Sequence, residues 1–246
     1  MSQSFGAFFQ CYKQPMATYK CLESFRRHYP ESTIVLLSDN GYNYSEMAKH
    51  FNCIYIHSNE NVSLLNVDLS NTKHIENVNK IIERFIIGFN LIKEDYIMWL
   101  EDDVSINGKI VDSFKYDING FCPNVYNVNM INGLNQTYKN INHDNTYRWS
   151  GHGGSVYNKS NLLSYFENKE IINDLLINWK KYNLTIDICH DYFISLLVNL
   201  HNGTIGPYEG HNDGYNGLDS NIIIQHQYKS WYNITLPLEL EYMISI

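Results

Sequence analysis

Tyr96-Ile97-Met98-Trp99-Leu100-Glu101-Asp102-Asp103-Val104-Ser105-Ile106 is the stretch whose reading decides the fold. Its five leading residues are large and apolar or aromatic, the pattern of a strand covered on both faces inside a parallel sheet. Three carboxylates follow without a break. Neighbouring negative charges repel and lose hydration on a buried strand, so the trio belongs at the strand's exposed end beside a compensating cation. In an extended chain Glu101 and Asp103 point to one side and Asp102 to the other, so the group can hold a metal and still reach a second polar target. Hard carboxylate oxygens favour Mg²⁺ or Mn²⁺, ions that keep positions open for substrate phosphates.

Upstream of this stretch, strands and helices alternate. Phe5 to Tyr12 reads as a first core strand ending in Lys13-Gln14-Pro15, and Pro15 can start a helix. Met16, Tyr19, Leu22 and Phe25 recur at helical spacing up to Tyr29-Pro30. Thr33 to Leu37 is a second strand, stopped by Ser38-Asp39-Asn40-Gly41. Strand, helix, strand predicts a right-handed parallel crossover, with ligands bound outside the carboxyl ends of the strands. Tyr12, Lys13 and Asp39 then line one rim, although an Asx-turn closing the strand accounts equally well for Asp39. A helix over Tyr44 to Phe51 and a strand over Cys53 to His57 follow, then an irregular segment from Ser58 to Thr72. From Lys73 to Ile92 the apolar positions Ile75, Val78, Ile81, Ile82, Phe85, Ile86 and Phe89 form a helical stripe that feeds the acidic strand. Lys80 and Arg84 lie four apart on that helix.

Downstream, Asn107-Gly108 between Val104–Ile106 and Lys109–Val111 predicts a tight β-hairpin that fixes the carboxylates at a rigid corner. Phe121 to Met130 suggests more sheet. Trp149-Ser150-Gly151-His152-Gly153-Gly154-Ser155 is dense in glycine, which marks a backbone turning sharply or passing close to a ligand. Its spacing is not a Walker or dinucleotide fingerprint, and a plain strand-to-helix loop is the other reading. Ser160 is placed to cap a helix through Leu162, Leu163 and Phe166, and a second helix begins near Ile171 with Leu175, Leu176 and Trp179 inside. Asp191 opens an apolar helix, where capping by itself explains a carboxylate. Gly203 to Leu218 reads as a flexible loop, and Ile222-Ile223-Ile224 as a short strand running into Gln225-His226-Gln227-Tyr228-Lys229.

An apolar strand, then Glu-Asp-Asp, then a short hydrophobic continuation resembles the DXD metal site of the GT-A glycosyltransferases, which use nucleotide-sugar donors. The resemblance implies an α/β fold, a Rossmann-like αβα sandwich with a mostly parallel central sheet. It implies a single domain over 1–246, with a nucleotide-sugar half (1–106) and an acceptor half with a C-terminal tail (107–246). It makes Asp103, Glu101 and His226 the metal ligands for Mn²⁺ or Mg²⁺, with Asp102 helping through water or ribose. Tyr12, Lys13 and Asp39 would meet nucleobase and ribose, Arg84 would approach the donor, and Lys229 would serve the diphosphate. For Lys80 a solvated helix face is the plainer reading. Gly153 and Gly154 would border donor sugar and acceptor, with His152 either touching that sugar or sitting in an ordinary turn. Asp191 would be the base of an inverting enzyme, ahead of Asp187 and Glu209; at too great a distance from the anomeric carbon, retention becomes preferable. The expected activity is transfer of a sugar from a nucleotide-diphosphate donor to a glycan or other hydroxyl acceptor. UDP is the default nucleotide, with GDP and dTDP open. Two rivals are a sugar-phosphate nucleotidyltransferase, whose glycine-rich basic loop Gln10 to Pro15 does not supply, and a non-catalytic protein binding glycans through its Tyr, Trp and Asn.

Length and composition agree with that class. The 246 residues are 44% hydrophobic and 14% aromatic, enough for one domain with a substantial core. A formal net charge of −8 with no Lys/Arg run argues against nucleic acid or an anionic membrane as partner. An acidic protein that binds a diphosphate must offset it locally, again with a metal and a few placed cations. Neither a basic N-terminal region followed by an apolar stretch nor a transmembrane segment is legible. The expectation is a soluble cytoplasmic protein, in host cytoplasm if viral; heavy use of Asn, Ile, Tyr and Lys points to an AT-rich genome such as a large DNA virus or AT-rich microbe. The five cysteines are widely spaced and odd in number, so neither a disulfide framework nor a zinc site is expected.

Overall fold

The structure is a computed structural model and describes residues 3–62, 72–121, 149–178, 190–213 and 222–245. Four strands of the first half come in the expected order: β1 (Phe5–Cys11), β2 (Ile34–Asp39), β3 (Ile54–Ser58) and β4 (Tyr96–Leu100). Between them lie α1 (Pro15–His28), α2 (Ser45–His50) and α3 (Thr72–Leu91). The second half adds β5 (Ser105–Ile106), β6 (Ile118–Asn119), β7 (Val156–Asn158), α4 (Lys159–Glu167), α5 (Lys169–Asn178) and α6 (His190–Leu200). It closes with β8 (Ile205–Gly206), β9 (His211–Asp213) and β10 (Ile224–His226), followed by two 3₁₀ turns at Lys229–Trp231 and Leu238–Met243.

Seven strands form one sheet in the order β3-β2-β1-β4-β7-β6-β8. β1 is parallel to both β2 and β4, with Phe8 opposite Val35 on one side and Trp99 on the other. Only β7 runs against its neighbours β4 and β6. Alternation along the strands sends successive residues into two separate cores. Phe8, Val35, Leu37, Ile97 and Trp99 pack under α3 with Phe85 and Phe89. Ala7, Phe9, Leu36, Met98 and Leu100 pack with Cys21, Leu22 and Phe25 of α1. The continuous apolar runs of β1, β2 and β4 are therefore continuous because both faces are covered. Cys11, Cys21 and Cys53 are free thiols, and among the described residues no helix is long and apolar enough to cross a membrane.

Four expectations are corrected. The hairpin at Asn107-Gly108 does not form: β5 pairs antiparallel with β10, and Asn107 N–H donates to Ile223 O at 2.7 Å. Neither Asn107 nor Gly108 has the positive φ that a primed two-residue turn requires. The α4 cap is Asn158, whose side chain accepts from Asn161 N, and Ser160 lies inside the helix. The segment read as a loop from Gly203 contains β8 and β9, while 214–218 lies outside the described residues. The last strand begins at Ile224, so His226 sits within it rather than beyond it. The sheet expected from Phe121 to Met130 falls, apart from Phe121, outside the described residues, as do Trp179 and Asp187.

Candidate functional site

β1, β2 and β4 are parallel and end on the same rim, so residues just past their last ladder positions face one another across the crevice. A cavity of about 620 Å³ opens there. Of the site residues expected from sequence, Tyr12, Asp39, Glu101, Asp102, Asp103, His152, Asp191, His226 and Lys229 line it. Lys13, Lys80, Arg84, Gly153, Gly154 and Glu209 are not among its walls. Glu209 is exposed and gives its backbone N–H to Asp112. Lys13 lies over the Tyr12 ring, 5.1 Å from its centre, and Lys80 pairs with Glu60.

At another part of the rim β2 delivers Asp39, and its carboxylate is engaged by the protein itself. Arg84 of α3 donates to Oδ1, and Val62 N–H reaches Oδ1 at 2.9 Å and Oδ2 at 3.1 Å. The second guanidinium nitrogen of Arg84 holds Ser58 Oγ and Glu60 O, each at 2.6 Å. Asn61 Nδ2 donates to Asp39 O at 3.1 Å. The pair thus clamps residues 58–62, which form one cavity wall through Asn61 and Val62. Arg84→Met leaves the Asp39 carboxylate buried with its main counter-charge removed, and removing one partner of a buried pair costs about 3–5 kcal/mol. Urea denaturation is expected to show that loss; a loss below about 1 kcal/mol, the range of an exposed pair, contradicts the clamp.

The acidic trio sits where β4 leaves the sheet. Val104 N–H donates to Glu101 O at 3.1 Å, so the chain turns sharply and turns Glu101 and Asp103 toward the incoming C-terminal strand. β10 carries His226 to meet them: its Nε2 is 2.7 Å from Glu101 Oε2 and 3.3 Å from Asp103 Oδ1. Lys229 Nζ lies 3.7 Å from Asp103 Oδ2, and Tyr228 N–H donates to Asp103 O at 2.8 Å, pinning the C-terminal segment to the corner. Asp102, on the turn itself, accepts from the Tyr232 hydroxyl. Burial pushes the Asp102 carboxyl up to about 6, with the Tyr232 hydrogen bond opposing and the neighbouring charges of Asp103 and Glu101 adding to the rise. Burial also acts to raise Glu101, but the charges and hydrogen bonds of His226 and His190 outweigh it and hold that carboxyl well below the usual range.

These residues fit a divalent cation. Glu101, Asp103 and His226 each present one ligand atom, and the three atoms lie within 4.8 Å of one another. Two carboxylates and one imidazole are a donor set suited to Mn²⁺ or Mg²⁺ with positions left for other oxygens. The glycine-rich turn makes room for them. A Cβ on Gly153 would stand 2.5 Å from Val104 Cγ2, 2.8 Å from His226 Cδ2 and 3.2 Å from Glu101 Oε2. Gly154 has φ +91°, and its carbonyl accepts from the Tyr208 hydroxyl at 2.7 Å.

Beside the acidic corner α6 presents His190 and Asp191. Asp191 Oδ1 accepts from Tyr192 N at 2.9 Å, and Oδ2 lies 3.8 Å from His152 Nε2. His190 was not singled out from sequence, yet it lines the cavity with Nε2 3.3 Å from Glu101 Oε1. Burial lowers its basicity, but the hydrogen bond and charge of Glu101 more than compensate, and the imidazole titrates above its ordinary value. Tyr232, Gln10, Asn61 and Trp99 are further wall residues that sequence reasoning did not assign to the site. One local signal was available: Trp99 and Glu101, two apart on an extended chain, share a side.

The architecture is the GT-A fold, the αβα sandwich with a mostly parallel sheet found in glycosyltransferases. Two solved structures are similar to the chain. The glycosyltransferase GlyE of Streptococcus pneumoniae aligns over 99% of this chain and 59% of its own, with 13% identity and a TM-score of 0.50. The chain therefore spans about three fifths of GlyE. The galactosyltransferase LgtC, solved with donor and acceptor sugar analogues, aligns over 96% of this chain and 99% of its own, with 12% identity and a TM-score of 0.49. No protein-family model and no curated protein sequence matches the chain.

Proposed function

We propose that the chain is a metal-dependent glycosyltransferase that moves a sugar from a nucleotide-diphosphate donor to a hydroxyl of a glycan or similar acceptor. A fold hosts many chemistries, so the reading rests on the site rather than on the architecture. The observation that carries it is the convergence of Glu101 and Asp103 with His226, more than 120 positions away in sequence, in the wall of the strand-end cavity. UDP is the nucleotide we assign.

Glu101, Asp103 and His226 would hold Mn²⁺ or Mg²⁺, which supplies charge neutralisation for the departing diphosphate. Lys229, beside Asp103, offers an ammonium to the same phosphates. The Tyr12 ring, 42% exposed at the end of β1, offers a face for the base; its backbone is fixed by the Tyr44 hydroxyl at 3.1 Å. Asp39 shapes that end of the cavity through Arg84 and Val62. Asp191, a wall residue of the same cavity, takes the proton of the acceptor hydroxyl as it attacks the anomeric carbon, giving inversion. Calorimetric titration with UDP tests the reading. Affinity is expected in the presence of Mn²⁺ and is expected to fall away when EDTA removes it. A protein that only binds glycans has no metal-linked nucleotide affinity, and that result overturns the assignment.

A further inference from the structure

Building on the metal-dependent reading above, we infer that Trp99 and His190 are positioning residues that hold Glu101 as a ligand through one carboxylate oxygen. The first acid of the trio is glutamate, which has one more rotatable bond than aspartate and so more freedom to lose on being ordered. The structure restrains it from both sides. Trp99 shares its strand face and donates its indole N–H to Glu101 Oε1 at 2.9 Å. The indole is itself immobilised: Trp99 is 4% exposed and stacks on Phe85 with centroids 4.9 Å apart and planes at 28°. His190 brings Nε2 to 3.3 Å from the same oxygen, with its ring 5.2 Å from that of Trp99. The other oxygen, Oε2, faces His226 at 2.7 Å with Gly153 behind it.

The two oxygens therefore have separate duties. Oε1 accepts from the indole and stands within ion-pair distance of the imidazole, and Oε2 alone is presented with His226 and Asp103. Groups that orient a ligating side chain typically change metal affinity by about 10–100-fold when removed. Neither Trp99 nor His190 is itself within the ligand set.

The experiment measures Mn²⁺ affinity by electron paramagnetic resonance of the free ion, without substrate, alongside thermal unfolding of the metal-free proteins. Trp99→Phe keeps the stacked ring and loses the donor; His190→Leu loses the imidazole; His190→Gln keeps a donor. We expect Trp99→Phe and His190→Leu to bind Mn²⁺ about tenfold or more weakly, with His190→Gln close to the unmodified protein. Should Trp99→Phe fail to fold, the His190 pair carries the test, since that side chain is 21% exposed and packs less tightly. Unchanged affinity in folded Trp99→Phe and His190→Leu overturns the inference while leaving the metal assignment standing. Equal loss in His190→Gln and His190→Leu overturns the donor role of His190. An unmodified protein without measurable Mn²⁺ affinity overturns the metal assignment and this inference with it.

Discussion

Asp103→Asn is expected to abolish sugar transfer and the Mn²⁺-linked part of nucleotide affinity while leaving the fold intact. Asp103 is 5% exposed and lies between the His226 imidazole at 3.3 Å and the Lys229 ammonium at 3.7 Å. Asparagine reproduces its shape and keeps one oxygen, but removes the negative charge that a hard cation requires of its ligand. The backbone contacts of the corner do not depend on that charge: Asp103 O still accepts from Tyr228 N–H. Losing preorganised stabilisation of the departing diphosphate is worth about 10²–10³ in turnover for a single donor group, and more where the cation itself is lost. Turnover of a UDP-sugar, paired with UDP calorimetry, reads both effects. Full transfer by this variant contradicts the assignment of Asp103.

Asp191→Asn is expected to lower transfer by about 10²–10⁴-fold, the usual contribution of a positioned base, with donor affinity preserved. The substitution separates two roles that coincide at this position. Asp191 stands in the first turn of α6 and its Oδ1 accepts from Tyr192 N–H, a helix-end contact that asparagine can also make. Only the ability to take a proton is removed. Equal loss of transfer and of donor binding would mean that the side chain maintains the helix end. Unimpaired transfer would mean that no base acts there, as in a retaining reaction.

The parts of this site that were legible in sequence are those set by local rules. β4 and its acidic end are read from five apolar residues and three charges, because burial and like-charge repulsion act on neighbours in the chain. The extended course expected through the trio is replaced by a turn that Val104 N–H closes on Glu101 O, and it is this turn that leaves Asp102 with Tyr232 while Glu101 and Asp103 meet His226. His226 arrives because a short apolar strand ends at the ligand rim. Contacts made over long sequence separations were hidden. Neither the donor contact nor the Asx-turn that sequence offers for Asp39 includes Arg84, yet the two pair across 45 positions, since a buried carboxylate beside α3 demands a counter-charge. His190 was passed over beside Asp191, and its meaning comes only from Glu101, which folding brings to it. The hairpin failed for a related reason: Asn-Gly is a turn preference worth little beside the partner strand β10, which claims Ser105 and Ile106 instead.

Anomalous diffraction at the manganese edge, from crystals grown with Mn²⁺ and UDP, tests the central claim most directly. The account predicts a single strong peak bounded by Glu101 Oε2, Asp103 and His226 Nε2, with diphosphate oxygens completing its coordination. Nucleotide bound in the cavity with no peak at that corner, and the carboxylates still paired with His226 and Lys229, would contradict it.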